Sequence, residues 1–147
     1  MQVSQNRVPL GRFSTVKLNY IAVGLSFMAS IIHGLLISEH FDEWFGYGIF
    51  FALATVSQMM FAAVLAIRPW MYDQSGGSRL DGGNSIARTW YLVGIIGNLA
   101  IIGLYVITRT YGIPLFGPEA GAVEPITAAG VLSKLTEAVL VAVLFVL

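Results

Sequence analysis

The chain has 147 residues, 56% of them hydrophobic and 11% charged, with eight Lys or Arg balanced by eight Asp or Glu. Soluble domains carry about 25% charged residues. The composition therefore excludes an ordinary water-soluble globule and indicates a lipid-facing surface, where a bare charge costs about 2.5–3.5 kcal/mol. A formal net charge of zero leaves no general basic field for nucleic acid, and the lack of cysteine excludes disulfides, thiolate nucleophiles and Cys-ligated clusters.

In chain order, residues 1–16 form a polar tail whose Arg7 and Arg12, followed by Lys17, resemble the positive region of a signal peptide. The apolar run that follows, 18–37, is longer than a signal-peptide core. Ala29-Ser30-Ile31 is also a poor cleavage site, so a retained first helix is expected. Residues 38–46 then form a short acidic loop with Trp44 and Phe45 as an interfacial anchor. A second apolar run, 47–67, ends at Arg68-Pro69-Trp70, because proline disfavours helical geometry in the residue before it. Residues 68–88 read as a glycine-rich linker with neither Walker spacing nor a flanking strand to cradle phosphate. A third run, 89–107, leads into a loop from Thr108 to Gly121 with two prolines and three glycines. Pro125 suits the start of a fourth helix, 126–147.

Each run is close to the ~20 residues a helix needs to cross a bilayer. The expected fold is all-α, a single four-helix transmembrane domain over 1–147 with antiparallel up-down topology. Arg7, Arg12 and Lys17 in the tail and Arg68, Arg79 and Arg88 in the second loop are opposed only by Arg109 in the loops of the other side. The positive-inside rule then puts both termini in the cytoplasm of a multi-pass protein of the cell membrane. On the outer face stand Glu39, Asp42, Glu43, Glu119 and Glu124.

Few strongly polar residues interrupt the runs. Ser26, Ser30, His33 and Ile37 share one helical face, as do Phe51, Thr55, Gln58 and Ala62 on the second helix. Asn98, Tyr105 and Arg109 share a face of the third, and Gly130, Lys134, Glu137 and Val141 a face of the fourth. If these stripes face the bundle axis they meet in a polar cluster in the outer half, containing Gln58, Asn98, Arg109, Glu119 and Lys134. One reading is structural: Lys134 pairs with Glu137, Arg109 pairs with Glu119 or Glu137, and the amides bridge helices. The other is a site for a metal, a proton or a small polar ligand, since ionisable groups inside a membrane are costly to keep.

The metal reading uses His33, His40, Glu43 and Glu137, with His40 and Glu43 three residues apart, and takes copper or zinc as ions suited to imidazole and carboxylate. Copper or haem are the candidate cofactors. Glycines, including the Gly94–Asn98 pair, suggest close helix contacts within the chain or with a partner. Phe50, Phe51, Met59, Met60 and Phe61 read as lipid-facing or core residues.

The segment His33, Glu39-His40, Glu43-Trp44, Phe50-Phe51 and Gln58, together with the loop Thr108-Arg109-Thr110-Tyr111-Gly112-Ile113-Pro114 and Gly117-Pro118-Glu119-Ala120-Gly121, resembles a group of uncharacterised small prokaryotic four-helix membrane proteins. Their loop follows the pattern [S/T]-R-T-x-G-[IL]-P and then G-P-E-A-G. The chain is also similar to accessory subunits of archaeal copper membrane (ammonia) monooxygenases. That resemblance implies a non-catalytic accessory subunit, with other membrane subunits and the lipid bilayer as partners. The residues leave two alternatives: a metal- or haem-binding redox protein using His33 and His40 with nearby carboxylates, and a small proton-coupled transporter using Glu137, Lys134 and Arg109. No nucleophile motif identifies a catalytic residue.

Overall fold

The computed structural model describes residues 10–68, 81–113 and 117–147, with side chains from residue 15 onward in the first segment and from residue 85 in the second. Four helices make up the described chain: α1 Leu10–Glu43, α2 Phe45–Ile67, α3 Asp81–Thr110 and α4 Ala128–Val146. All four are long and apolar enough to cross a membrane. At 1.5 Å per residue, α1 is about 50 Å long, beyond the ~30 Å hydrocarbon core. Its polar ends therefore extend past the apolar span.

Hydrogen bonds between helices set the topology. Asn19 meets Leu65, Ser26 meets Gln58 and Ser30 meets Thr55, so α1 and α2 run antiparallel. In each case a short polar side chain on α1 donates to a backbone carbonyl of α2, which satisfies the polar group inside an apolar bundle. Phe61 against Gly94 and Gln58 against Asn98 orient α3 against α2. Tyr105 against Gly130 and Leu144 against Gly94 orient α4 against α3. The result is the expected up-down bundle. α1 packs along α2 and α4, and α4 along α3, whereas α2 and α3 approach one another closely at few points.

The end where α1 begins and α2 and α4 finish is here called proximal, and the opposite end distal. The apolar core lies toward the proximal end and comprises Ala22, Phe61, Leu65, Ile95, Leu140, Val141 and Leu144. Gly94 lets α3 close on this core, because a Cβ there would lie 2.2 Å from the Phe61 ring and 2.9 Å from Leu144. The outward faces are apolar and exposed on every helix, as at Leu35, Leu53, Ile96 and Phe145. This is the surface of a membrane protein turned to lipid.

Several boundaries differ from the sequence expectation. The acidic loop at 38–46 is mostly helix: α1 continues to Glu43 and only Trp44 separates it from α2. Residues 35–43 contain neither glycine nor proline, so the fall in hydropathy there marks the end of the apolar span, not of the helix. Trp44 takes extended geometry, and its carbonyl accepts from Tyr47 and Gly48. Gly48 then admits the Phe41 ring, which a Cβ would meet at 2.2 Å. The backbone of residues 10–16, read in the sequence as part of the polar tail, belongs to α1, and α3 starts at Asp81 instead of 89. Residues 1–9 of the tail and the linker residues 69–80 lie outside the described residues. α4 starts at Ala128, capped by Thr127, whose hydroxyl accepts from Gly130 N–H at 3.1 Å. Pro125 therefore precedes the first turn instead of opening it.

Candidate functional site: a buried carboxylate beneath a distal cavity

The polar stripes do converge. Glu137, fully buried on α4, receives four donors. His33 Nε2 stands 2.8 Å from Oε1, Ser133 Oγ 3.1 Å and Gln58 Nε2 3.4 Å. Lys134 Nζ lies 2.7 Å from Oε2. An arrangement of donors on both oxygens suits the acceptor-only, ionised form of a carboxylate. The charge on Glu137 is balanced by Lys134, one turn away on the same helix. Nε2 is the ring nitrogen of His33 turned to Oε1, and the other ring nitrogen is Nδ1. Nδ1 is buried and has no hydrogen-bond partner among the described residues.

Two amides extend the network. Gln58 Nε2 is shared between Glu137 and Asn98 Oδ1, at 3.4 Å to each, and Asn98 Nδ2 donates to Gly94 O at 2.8 Å. All four helices thus contribute to one polar layer, and the apolar core lies on its proximal side. On its distal side is a cavity of about 550 Å³. His33, Ser133 and Lys134 form part of its floor. Phe50 and Phe51 of α2 and Ile101, Leu104 and Tyr105 of α3 form facing walls. The α3–α4 loop and the distal end of α1 form the rim.

That loop is fixed locally. Glycines at positive φ, Gly112, Gly117 and Gly121, let the chain reverse. Gly112 N–H and Tyr111 N–H both close on Ile107 O to end α3. Ile113 and Ala120 form an isolated bridge, and Gly117 sits so near Tyr47 that a Cβ would lie 2.3 Å from its hydroxyl. Glu124 N–H donates to Thr108 O at 3.1 Å, which brings Glu124 beside Arg109. Arg109 accordingly pairs with Glu124, not with Glu119 or Glu137 as expected. Its guanidinium also lies 4.7 Å from the centroid of the Tyr105 ring, and Lys134 Nζ lies 5.7 Å from the same centroid.

His40, Glu43 and Glu119 all line the cavity rim. His40 Nδ1 donates to Leu36 O at 2.8 Å, and the ring stacks on Phe51 with centroids 3.7 Å apart. Among the described residues, no group of three or more His, Asp or Glu side chains is placed to hold a metal. His33 instead meets Glu137 directly, and the carboxylate takes three contacts on Oε1 and one on Oε2. Of the aromatic and Met residues read as core or lipid-facing, Phe61 is core, Met59 and Met60 are exposed, and Phe50 and Phe51 line the cavity.

Sequence reasoning missed three buried polar residues, Asn19, Ser133 and Thr136. Ser133 is four residues before Glu137, so helical spacing alone places it on the same face. Asn19 extends the stripe of Ser26, Ser30 and His33 by two further turns, and its Nδ2 donates to Leu65 O at 2.8 Å. No family model, curated protein or solved structure matches the chain.

Proposed function

We propose that this small multi-pass membrane protein is a binding protein that holds a small molecule in the distal cavity and reads it through the His33–Glu137–Lys134 network. The observation that carries this is the position of Glu137. It is a fully buried carboxylate set between a cavity of about 550 Å³ and an apolar core. A buried charged network is a costly way to hold helices together, and apolar packing of similar volume is often as stable. The cavity volume falls within the range of small-molecule sites, about 300–1,000 Å³. The core of Phe61, Leu65, Leu140 and Leu144 on the proximal side supports a one-sided pocket over a conducting path.

Extraction of the full chain from its own membranes into lipid nanodiscs, followed by native mass spectrometry, tests this reading. A non-lipid small molecule bound to the wild-type chain and lost from the cavity-filling variant Ala129→Trp is the expected result. Equal retention in both variants, or no bound molecule in either, contradicts it.

A second reading, an accessory subunit of a larger membrane complex, is favoured by Gly97 and Gly103 on α3. Both face open space, where a partner helix can approach closely. Co-purification of larger subunits that is disrupted by Gly97→Leu supports it; a lone monomer from native membranes contradicts it.

A further inference from the structure

The cavity rim carries an unbalanced set of charges. Of the cations that line the cavity, Arg109 is matched by Glu124 and Lys134 by Glu137. Three further carboxylates on the lining, Glu39, Glu43 and Glu119, have no ion pair among the described residues. Glu39 and Glu43 are one turn apart on α1, and Glu119 comes from the α3–α4 loop. Two elements thus bring negative charge to one opening. The opening therefore carries more negative than positive charge, a field that draws cations.

Aromatic side chains stand beside these carboxylates. Trp44 and Tyr47 pack edge to face with centroids 5.0 Å apart, and Phe50 continues the wall inward. The faces of Tyr105 and Phe51 are already taken, by Arg109 and Lys134 and by His40 respectively. At the floor, His33 is only 3% exposed, and its Nδ1 has no partner among the described residues.

From this arrangement we infer that the distal cavity selects a lipophilic monocation, a protonated amine with an apolar body. Glu39, Glu43 and Glu119 attract its charge, and Trp44, Tyr47 and Phe50 receive its apolar part and stabilise the cation over their rings. A carboxylate ligand would meet three unpaired carboxylates while both cations are already engaged.

The inference rests on the binding-protein reading and is tested separately from it. Full-length protein in zwitterionic lipid nanodiscs is titrated calorimetrically with phenethylammonium, phenethyl alcohol and phenylacetate, with empty nanodiscs as the blank. The expected result is saturable binding of phenethylammonium in preference to the other two. In Glu39→Gln/Glu43→Gln that affinity falls by about tenfold, as removal of two nearby charges in a water-exposed setting implies. Both residues are exposed and unpaired among the described residues, so the double variant keeps its fold, and circular dichroism checks this. Binding of all three probes with similar affinity, or of phenylacetate most tightly, overturns the cation selectivity and leaves the cavity reading standing. So does phenethylammonium binding unchanged in the double variant. No saturable binding of any probe overturns both.

Discussion

Replacing Glu137 with leucine keeps the apolar volume but leaves four donors facing a hydrocarbon side chain. Lys134 Nζ, His33 Nε2, Ser133 Oγ and Gln58 Nε2 all lose their acceptor. Lys134 matters most, because its side chain is only 13% exposed and its charge has no other ion pair among the described residues. Breaking one partner of a buried ion pair typically costs about 3–5 kcal/mol. Interhelical hydrogen bonds in bilayers average nearer ~0.6 kcal/mol each. The expected loss for Glu137→Leu is therefore about 3–5 kcal/mol, dominated by the stranded ammonium. Lys134→Met leaves a carboxylate that still accepts from His33, Ser133 and Gln58, so it costs less. The double variant removes both charges and should be more stable than Glu137→Leu alone, with a coupling energy of about 1–3 kcal/mol. Reversible unfolding in mixed micelles, followed by far-UV circular dichroism, gives the three values. A Glu137→Leu loss below about 0.5 kcal/mol, typical of surface sites, would refute the argument. Strictly additive single variants would do the same.

Three further outcomes follow from the packing. Gly94→Val should destabilise by about 1–3 kcal/mol through overpacking against Phe61 and Leu144. Gly97→Val, on the open side of the same helix, should be tolerated or slightly stabilising; thermal melts of the two variants compare them directly. Thr127→Ala should cost about 1 kcal/mol by removing the α4 cap, with faster amide exchange confined to the first turn of that helix. Gly117→Ala should displace the α3–α4 loop, because the residue is at φ 104° and its Cβ would meet Tyr47, and amide exchange across 117–124 would rise while the helices stay protected.

Composition revealed the four spans because lipid exposure demands apolar faces on every helix, and the polar stripes revealed the site because few side chains interrupt those faces. His33, Gln58, Asn98, Lys134 and Glu137 were each placed on an inward face by phase alone, and all five meet in one layer. The helix limits were harder to read. Hydropathy falls where a helix leaves the membrane, while the helix itself continues until a backbone feature stops it, as α1 does to Glu43. Arg109 illustrates a different limit. Its partner depends on how glycines at positive φ fold the α3–α4 loop back on Thr108, a tertiary result that spacing along the chain does not encode. The cavity is equally invisible in sequence, since its lining is assembled from all four helices and the α3–α4 loop.

The central claim is that solvent reaches the polar layer from the distal side and stops at the apolar core. The chain has no cysteine of its own, so single-cysteine variants report access without a background. Reaction of Ala129→Cys and Thr108→Cys, which line the cavity, is compared with that of Leu140→Cys and Leu144→Cys in the core, using a small charged methanethiosulfonate in nanodiscs. The account predicts rapid modification of the first pair and protection of the second. Equal rates at the two levels, or protection at all four positions, would contradict it.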